Sequence, residues 1–134
     1  MTSLVLKLAP NERVLINGAV IENGDKRARI SIRTANANIL RLKDAIHPDQ
    51  AQTPVSRVCY IAQLVLSGDA DPAQGRSQLL SGIEQLTHAL DDPDSRKILS
   101  AATEAALSGN IYQAMRQLRL LLPREARLLA LGQP

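Results

Sequence analysis

Phenylalanine and tryptophan are absent from these 134 residues, and Tyr60 and Tyr112 are the only aromatic side chains. That scarcity argues against modules that read single-stranded bases by stacking them on an aromatic platform. Any contact with a nucleic acid would have to rest on guanidinium groups, backbone hydrogen bonds and phosphate contacts. There is one cysteine, Cys59, so no internal disulfide can form and a reducing compartment is expected. No apolar run approaches the roughly 20 residues that span a bilayer. The start MTSLVLKLAP also lacks the charged-then-apolar layout of a secretory signal. A cytoplasmic protein with no membrane partner is the expectation.

Catalytic and metal-binding patterns are missing too. His47 and His88 stand far apart, with no second ligand at a helical or C-x-x-C-like spacing, so no metal ligands are assigned. Cys59 falls on the apolar face of a helical pattern, which suits a small buried hydrophobe better than a nucleophile. No P-loop, dinucleotide fingerprint or G-x-S-x-G is present, and the acids of DDPD (91–94) suit a helix cap better than a catalytic pair. No catalytic residue and no cofactor are assigned, and a non-enzyme is expected.

What is present is a chain of two textures. Residues 1–46 carry eight Lys/Arg against four acids, whereas 47–134 carry eight against nine, so the positive charge belongs to the N-terminal third. That third alternates like strands. Leu4, Leu6 and Leu8 stand against Val5 and Lys7, and APNE turns the chain before Arg13–Ile16. Two Asn-Gly pairs follow, Asn17-Gly18 and Asn23-Gly24, each a type I′ hairpin signal because that turn needs positive φ at both central residues. The reading is two tight hairpins and four or five short antiparallel strands, the fourth over Lys26–Thr34 and the last over Ile39–Lys43. So small a sheet needs helices or a second chain to dock on.

From residue 47 onward the period changes to that of helices. Val55, Val58, Cys59, Ala62, Val65 and Leu66 share one face; Leu79, Ile83, Leu86 and Leu90 form a second stripe. Asp94 offers a cap for a third helix, Gly109-Asn110 ends it, and Ile111, Met115, Leu118 and Leu122 mark a fourth. Pro123 restarts a short last one. The expected fold class is α+β: a small N-terminal antiparallel β-sheet (1–46) followed by a helical region of four to five helices (47–134).

The chemistry that remains is cationic. Arg27, Arg29 and Arg33 project from one face of the fourth strand, with Arg41 and Lys43 on the next. Guanidinium forks suit phosphate oxygens or a guanine edge. A solvated face paired with Glu22 and Asp25 across strands is the bland alternative. A second set, Arg116, Arg119, Arg124 and Arg127, lies at helical spacing, a pattern that more often marks the wet side of a helix.

LVLKLAPNERVLINGAVIENGDKRARISI (4–32), LRLKDAI (40–46), QAQTPVSR (50–57) and GNIYQAMRQLR (109–119) closely resemble the FlbT family of alphaproteobacterial flagellar regulators. The resemblance runs through most of the chain. It implies post-transcriptional control of flagellin synthesis through the 5′ untranslated region of flagellin mRNA, affecting its stability or translation. Some members repress flagellin and others promote it; the family also implies the partner FlaF. The N-terminal third is similar, more weakly, to CsrA, a β-rich translational regulator that binds RNA as a strand-exchanged dimer. That likeness puts Leu4 and Leu6 on the first strand and Lys43 where CsrA carries its main RNA-contacting arginine. Leu8 stands where CsrA has a basic residue.

The expectation is thus an RNA-binding regulator with Lys26, Arg27, Arg29, Arg33, Arg41 and Lys43 toward a flagellin mRNA leader, assembled as a homodimer or higher homo-oligomer. The alternative is a protein-interaction module whose helices bind flagellin or FlaF.

Overall fold

The computed structural model describes residues 4–131. Its first hairpin forms where the sequence demands one. Asn17 at φ 49° and Gly18 at φ 84° supply the two positive angles of a type I′ turn. They join β2 (Arg13–Ile16) to β3 (Ala19–Glu22), with Ile16 opposite Ala19 and Arg13 opposite Glu22. Asn17 also holds the far side of β2. Its N–H donates to the Asn38 carbonyl at 2.8 Å, and its side-chain oxygen accepts from the Asn38 N–H at 2.9 Å. That clamp seats β5 (Ile39–Arg41) along β2, giving a three-stranded antiparallel sheet in the order β3-β2-β5.

The second Asn-Gly pair does not make the expected hairpin. β4 (Ala28–Ile32) lies in a different sheet, an antiparallel ribbon with β1 (Leu4–Leu8). Gly24 stays out of the positive-φ region that a type I′ turn requires. Asn23 explains the difference, because its side-chain amide donates to the carbonyls of Ala9 at 2.8 Å and Lys26 at 2.9 Å. Its backbone N–H donates to Glu12 and the Gly24 carbonyl accepts from Asn11. These bonds tie the segment to the β1–β2 turn and send the chain across to β1. β4 is also shorter than Lys26–Thr34. The last strand stops at Arg41, because Leu42–Asp44 close into a 3₁₀ turn, so Lys43 stands on a turn and not on a strand.

In the ribbon Leu4, Leu6 and Leu8 oppose Ile32, Ile30 and Ala28, and this side turns toward the core. Val5 and Lys7 oppose Ser31 and Arg29 on the exposed side. Strand alternation thus leaves the cations outside.

Five helices follow: α1 (Pro54–Ser67), α2 (Pro72–Ala89), α3 (Pro93–Leu107), α4 (Ile111–Arg119) and α5 (Leu122–Leu131). The first three start alike, with Thr53, Asp71 or Asp92 as N-cap and proline at the first helical position. There its missing N–H removes a donor that would be orphaned anyway. The cap of α3 is Asp92, which accepts from Ser95 N–H at 3.1 Å, and not Asp94, because Pro93 already occupies the first turn. Asn110 caps α4, and Gly68 closes α1 in the left-handed conformation.

One core spans both textures. Leu6, Leu8, Val14, Ile39 and Leu40 from the strands are buried with Val55, Cys59, Ala62 and Leu66 of α1 and with Met115 and Leu118 of α4. Burial pushes the Cys59 thiol up to about 12, so it packs as an uncharged hydrophobe. α2 approaches α1 closely at Gly75 and Gly82. A Cβ on Gly75 would come within 2.3 Å of Val65 Cγ2, and one on Gly82 within 2.8 Å of Val58 Cγ2. The buried Glu125 carboxylate accepts from the Val55 N–H at 2.8 Å, placing an anion on the α1 N-terminus where the helix dipole favours it.

Candidate nucleic-acid interface

Docking the ribbon and the 3₁₀ turn beside α4 opens a surface groove of about 810 Å³. Its cationic lining comes from five elements: Lys7 on β1, Arg29 on β4, Arg41 on β5, Lys43 on the 3₁₀ turn, and Arg116 and Arg119 on α4. A second open groove of about 410 Å³ shares Lys7, Arg29, Arg41 and Lys43 and adds Arg27. Four of the six sequence-selected cations, Arg27, Arg29, Arg41 and Lys43, therefore converge. Lys26 and Arg33 are exposed but line neither groove.

The converging cations do different work. Arg41 is braced internally: its Nε and one terminal nitrogen each lie 2.7 Å from a Glu12 carboxylate oxygen, and that nitrogen also donates to the Lys7 carbonyl at 2.7 Å. Glu12 accepts in addition from the Ala9 N–H at 2.9 Å. The Arg41 hydrogen bonds outweigh the cost of burial and hold the Glu12 carboxyl down at about 2; the same contacts raise Arg41. With a side chain only 15% exposed, Arg41 first serves as a tie from β5 to the β1–β2 turn. Arg119 is likewise partly committed, donating to the Asp44 carbonyl at 3.0 Å and lying 3.6 Å from its carboxylate.

Lys7, Arg27, Arg29, Lys43 and Arg116 have no carboxylate within 4.0 Å among the described residues. Glu22 cannot balance them, because the crossover leaves it on β3, where it pairs with its cross-strand neighbour Arg13 at 2.8 Å. Lys7 stands directly opposite Arg29 in the β1–β4 register, a like-charge pairing that costs stability. Such local violations tend to mark sites that serve a ligand.

Sequence reading passed over Lys7, although its place between Leu6 and Leu8 on an alternating strand already put it outward. It left Arg116 and Arg119 as a wet helix face; only the packing of α4 beside the ribbon brings them into the groove. Arg124 of the same set is used elsewhere, ion-paired to Asp92 and donating to the buried Ser95 hydroxyl at 3.0 Å.

Fold and surface together define a small α+β protein with a surface groove lined by six cations, of which Lys7, Arg29, Lys43 and Arg116 have no carboxylate within 4.0 Å among the described residues. No described helix is long and apolar enough to cross a membrane. The family model for the flagellar protein FlbT matches residues 4–129, and the chain belongs to that family. It is 37% identical over 127 residues to the probable flagellum biosynthesis repressor protein FlbT of Rhodopseudomonas palustris (strain TIE-1), covering 95% of this chain and 98% of that one. It is 31% identical over 126 residues to a Bradyrhizobium diazoefficiens protein of the same designation, covering 94% and 84%. The flagellum biosynthesis repressor protein FlbT of Caulobacter vibrioides (strain ATCC 19089) is 25% identical over 122 residues, covering 91% and 86%. These names describe repressors of flagellum biosynthesis. No solved structure matches the chain significantly.

Proposed function

We propose that the protein is a non-enzymatic regulator of flagellum biosynthesis that binds the 5′ untranslated region of flagellin mRNA in this groove and alters its translation or stability. The observation that carries the reading is the convergence of Lys7, Arg29, Lys43 and Arg116 on one groove from strand, turn and helix, with Arg27 on the adjoining groove, each without a carboxylate within 4.0 Å among the described residues. The names of the relatives support the regulatory half of the reading. A polyanion that threads the groove would relieve the Lys7–Arg29 repulsion and release counterions. Affinity should then fall steeply with salt, with a log–log slope of about −0.7 per phosphate neutralised on a single strand, or roughly −3 to −4 for five cations.

The test is a titration of leader RNA at two salt concentrations with the wild type and with Arg29→Ala/Lys43→Ala/Arg116→Ala. The variant should bind weakly and with a slope shallower by about 2. Equal affinity and slope would reject the groove as the site.

A second reading is favoured by one other surface. Leu128, Leu129 and Leu131 are 46–83% exposed along α5. Under that reading this apolar face binds flagellin or FlaF and the effect on mRNA is indirect. Co-elution with flagellin, combined with no RNA shift at low salt, would decide for it.

A further inference from the structure

The groove combines two kinds of cation. Lys7, Arg29 and Lys43 project from strands and a turn, and among the described residues no aromatic ring stacks on them. Arg116 differs: its guanidinium carbon lies over the Tyr112 ring, 5.8 Å from the centroid. Tyr112 itself is 4% exposed, so its ring is unavailable to a base. It can, however, hold one side of the guanidinium while the exposed remainder of Arg116 lines the groove. A guanidinium plane is one of the few surfaces besides an aromatic ring on which an unpaired base stacks.

We propose that Arg116 is a base-contacting residue of the groove: backed by Tyr112, its guanidinium face stacks on an unpaired base of a single-stranded RNA whose phosphates lie against Lys7, Arg29 and Lys43. The inference rests on the RNA-binding reading above and makes it more specific. Because Tyr112, the aromatic residue lining the groove, is buried, the ring-backed arginine replaces the missing stacking platform. The ligand class is then single-stranded RNA in preference to a paired stem, whose bases are already stacked on one another and offer no free face.

The proposal separates plane from charge, and Arg116→Lys does the same, because lysine keeps the positive charge but has no flat face. The probe is a fluorescently labelled, unstructured leader oligonucleotide, compared with a fully paired RNA of equal length, each titrated at several salt concentrations. Arg116→Lys should weaken single-strand binding about tenfold with the salt slope unchanged, and should leave duplex binding as in the wild type. Arg116→Ala should weaken single-strand binding at least as much and also flatten the slope by about 0.7. Full affinity in Arg116→Lys, or an equal loss on the duplex, would make Arg116 a further phosphate contact and overturn the proposal. Competition by polyglutamate as effective as that by RNA of equal charge would overturn it in favour of an acidic protein ligand. Wild-type protein that binds neither RNA would instead defeat the RNA-binding reading itself. Arg116 is exposed on α4, so its variants retain the fold, which circular dichroism verifies.

Discussion

Consider removing one side of the Glu12–Arg41 tie. The pair joins the turn after β1 to the end of β5, and Arg41 also holds the Lys7 carbonyl. Its strength can be worked from Glu12, whose carboxyl falls from an ordinary 4.5 to about 2 because Arg41 and the Ala9 N–H hydrogen-bond the charged form. At 1.36 kcal/mol per unit the difference is about 3 kcal/mol, a ceiling. Solvent beside the partly exposed Arg41 reduces it, so Glu12→Gln should cost about 1–2 kcal/mol at pH 7. Arg41→Met should cost more, about 3 kcal/mol, because it leaves the buried Glu12 carboxylate without its cation.

The pH dependence has a fixed sign. Glu12 is depressed in the folded state, so its stabilisation is complete above about 4.5 and is lost as pH falls toward about 2. Urea unfolding at pH 7 and pH 3, followed by far-UV circular dichroism, separates the terms. The gap between wild type and Glu12→Gln should be widest at pH 7 and narrow by pH 3. If the gap is the same at both pH values, or absent at pH 7, the ion pair does not tie the β1–β2 turn to β5.

Three further outcomes follow from the packing. Gly75→Ala should destabilise the protein in thermal melts despite the helix-propensity gain of about 1 kcal/mol, because its Cβ would lie 2.3 Å from Val65 Cγ2. Adding Val65→Ala should recover part of the loss, and a Gly75→Ala melt above wild type would refute the close approach. Asn23→Ala should cost about 1–2 kcal/mol in urea unfolding, since the Ala9 and Lys26 carbonyls both lose their donor; no change would show that the crossover is held by other means. We also propose that the protein assembles as a homodimer through β3, which among the described residues pairs only with β2 and exposes Val20 (65%) and Ile21 (39%). Light scattering should give twice the monomer mass for the wild type and the monomer mass for Val20→Lys/Ile21→Lys; a monomeric wild type would reject the assembly.

The strands and helices were legible because their signals are local. Alternation in LVLKL and ARISI, Asn17-Gly18 and the Leu79–Leu90 stripe each report a turn or a backbone period within a few residues. The Asn23-Gly24 pair misled for the opposite reason. Its turn chemistry was overruled by tertiary hydrogen bonds from Asn23 to Ala9 and from Asn11 to Gly24, partners more than ten residues away. The same non-locality hid part of the site. Arg41 reads as one more surface cation until Glu12 is found against it, 29 residues earlier in the chain. Arg116 reads as a wet helix face until α4 is packed beside the ribbon.

That non-locality also bears on what the helical two-thirds contributes. The strands alone place Lys7 opposite Arg29, and the 3₁₀ turn adds Lys43, but the second wall of the groove is α4. α4 is held there by Met115 and Leu118 in the shared core and by the Arg119 bonds to Asp44, which sits next to Lys43. The helices therefore form part of the groove as well as its support. An Arg119→Ala change should shift Lys43 relative to Arg116, and with it the affinity for single-stranded RNA, more than the loss of one partly neutralised charge would predict. If Arg119→Ala flattens the salt slope by about 0.7 or less and leaves the Arg116→Lys penalty intact, the two walls act independently and the coupling is rejected. A smaller Arg116→Lys penalty in the Arg119→Ala background would show that the Arg119–Asp44 contact sets the distance between the ring-backed arginine and the turn lysine.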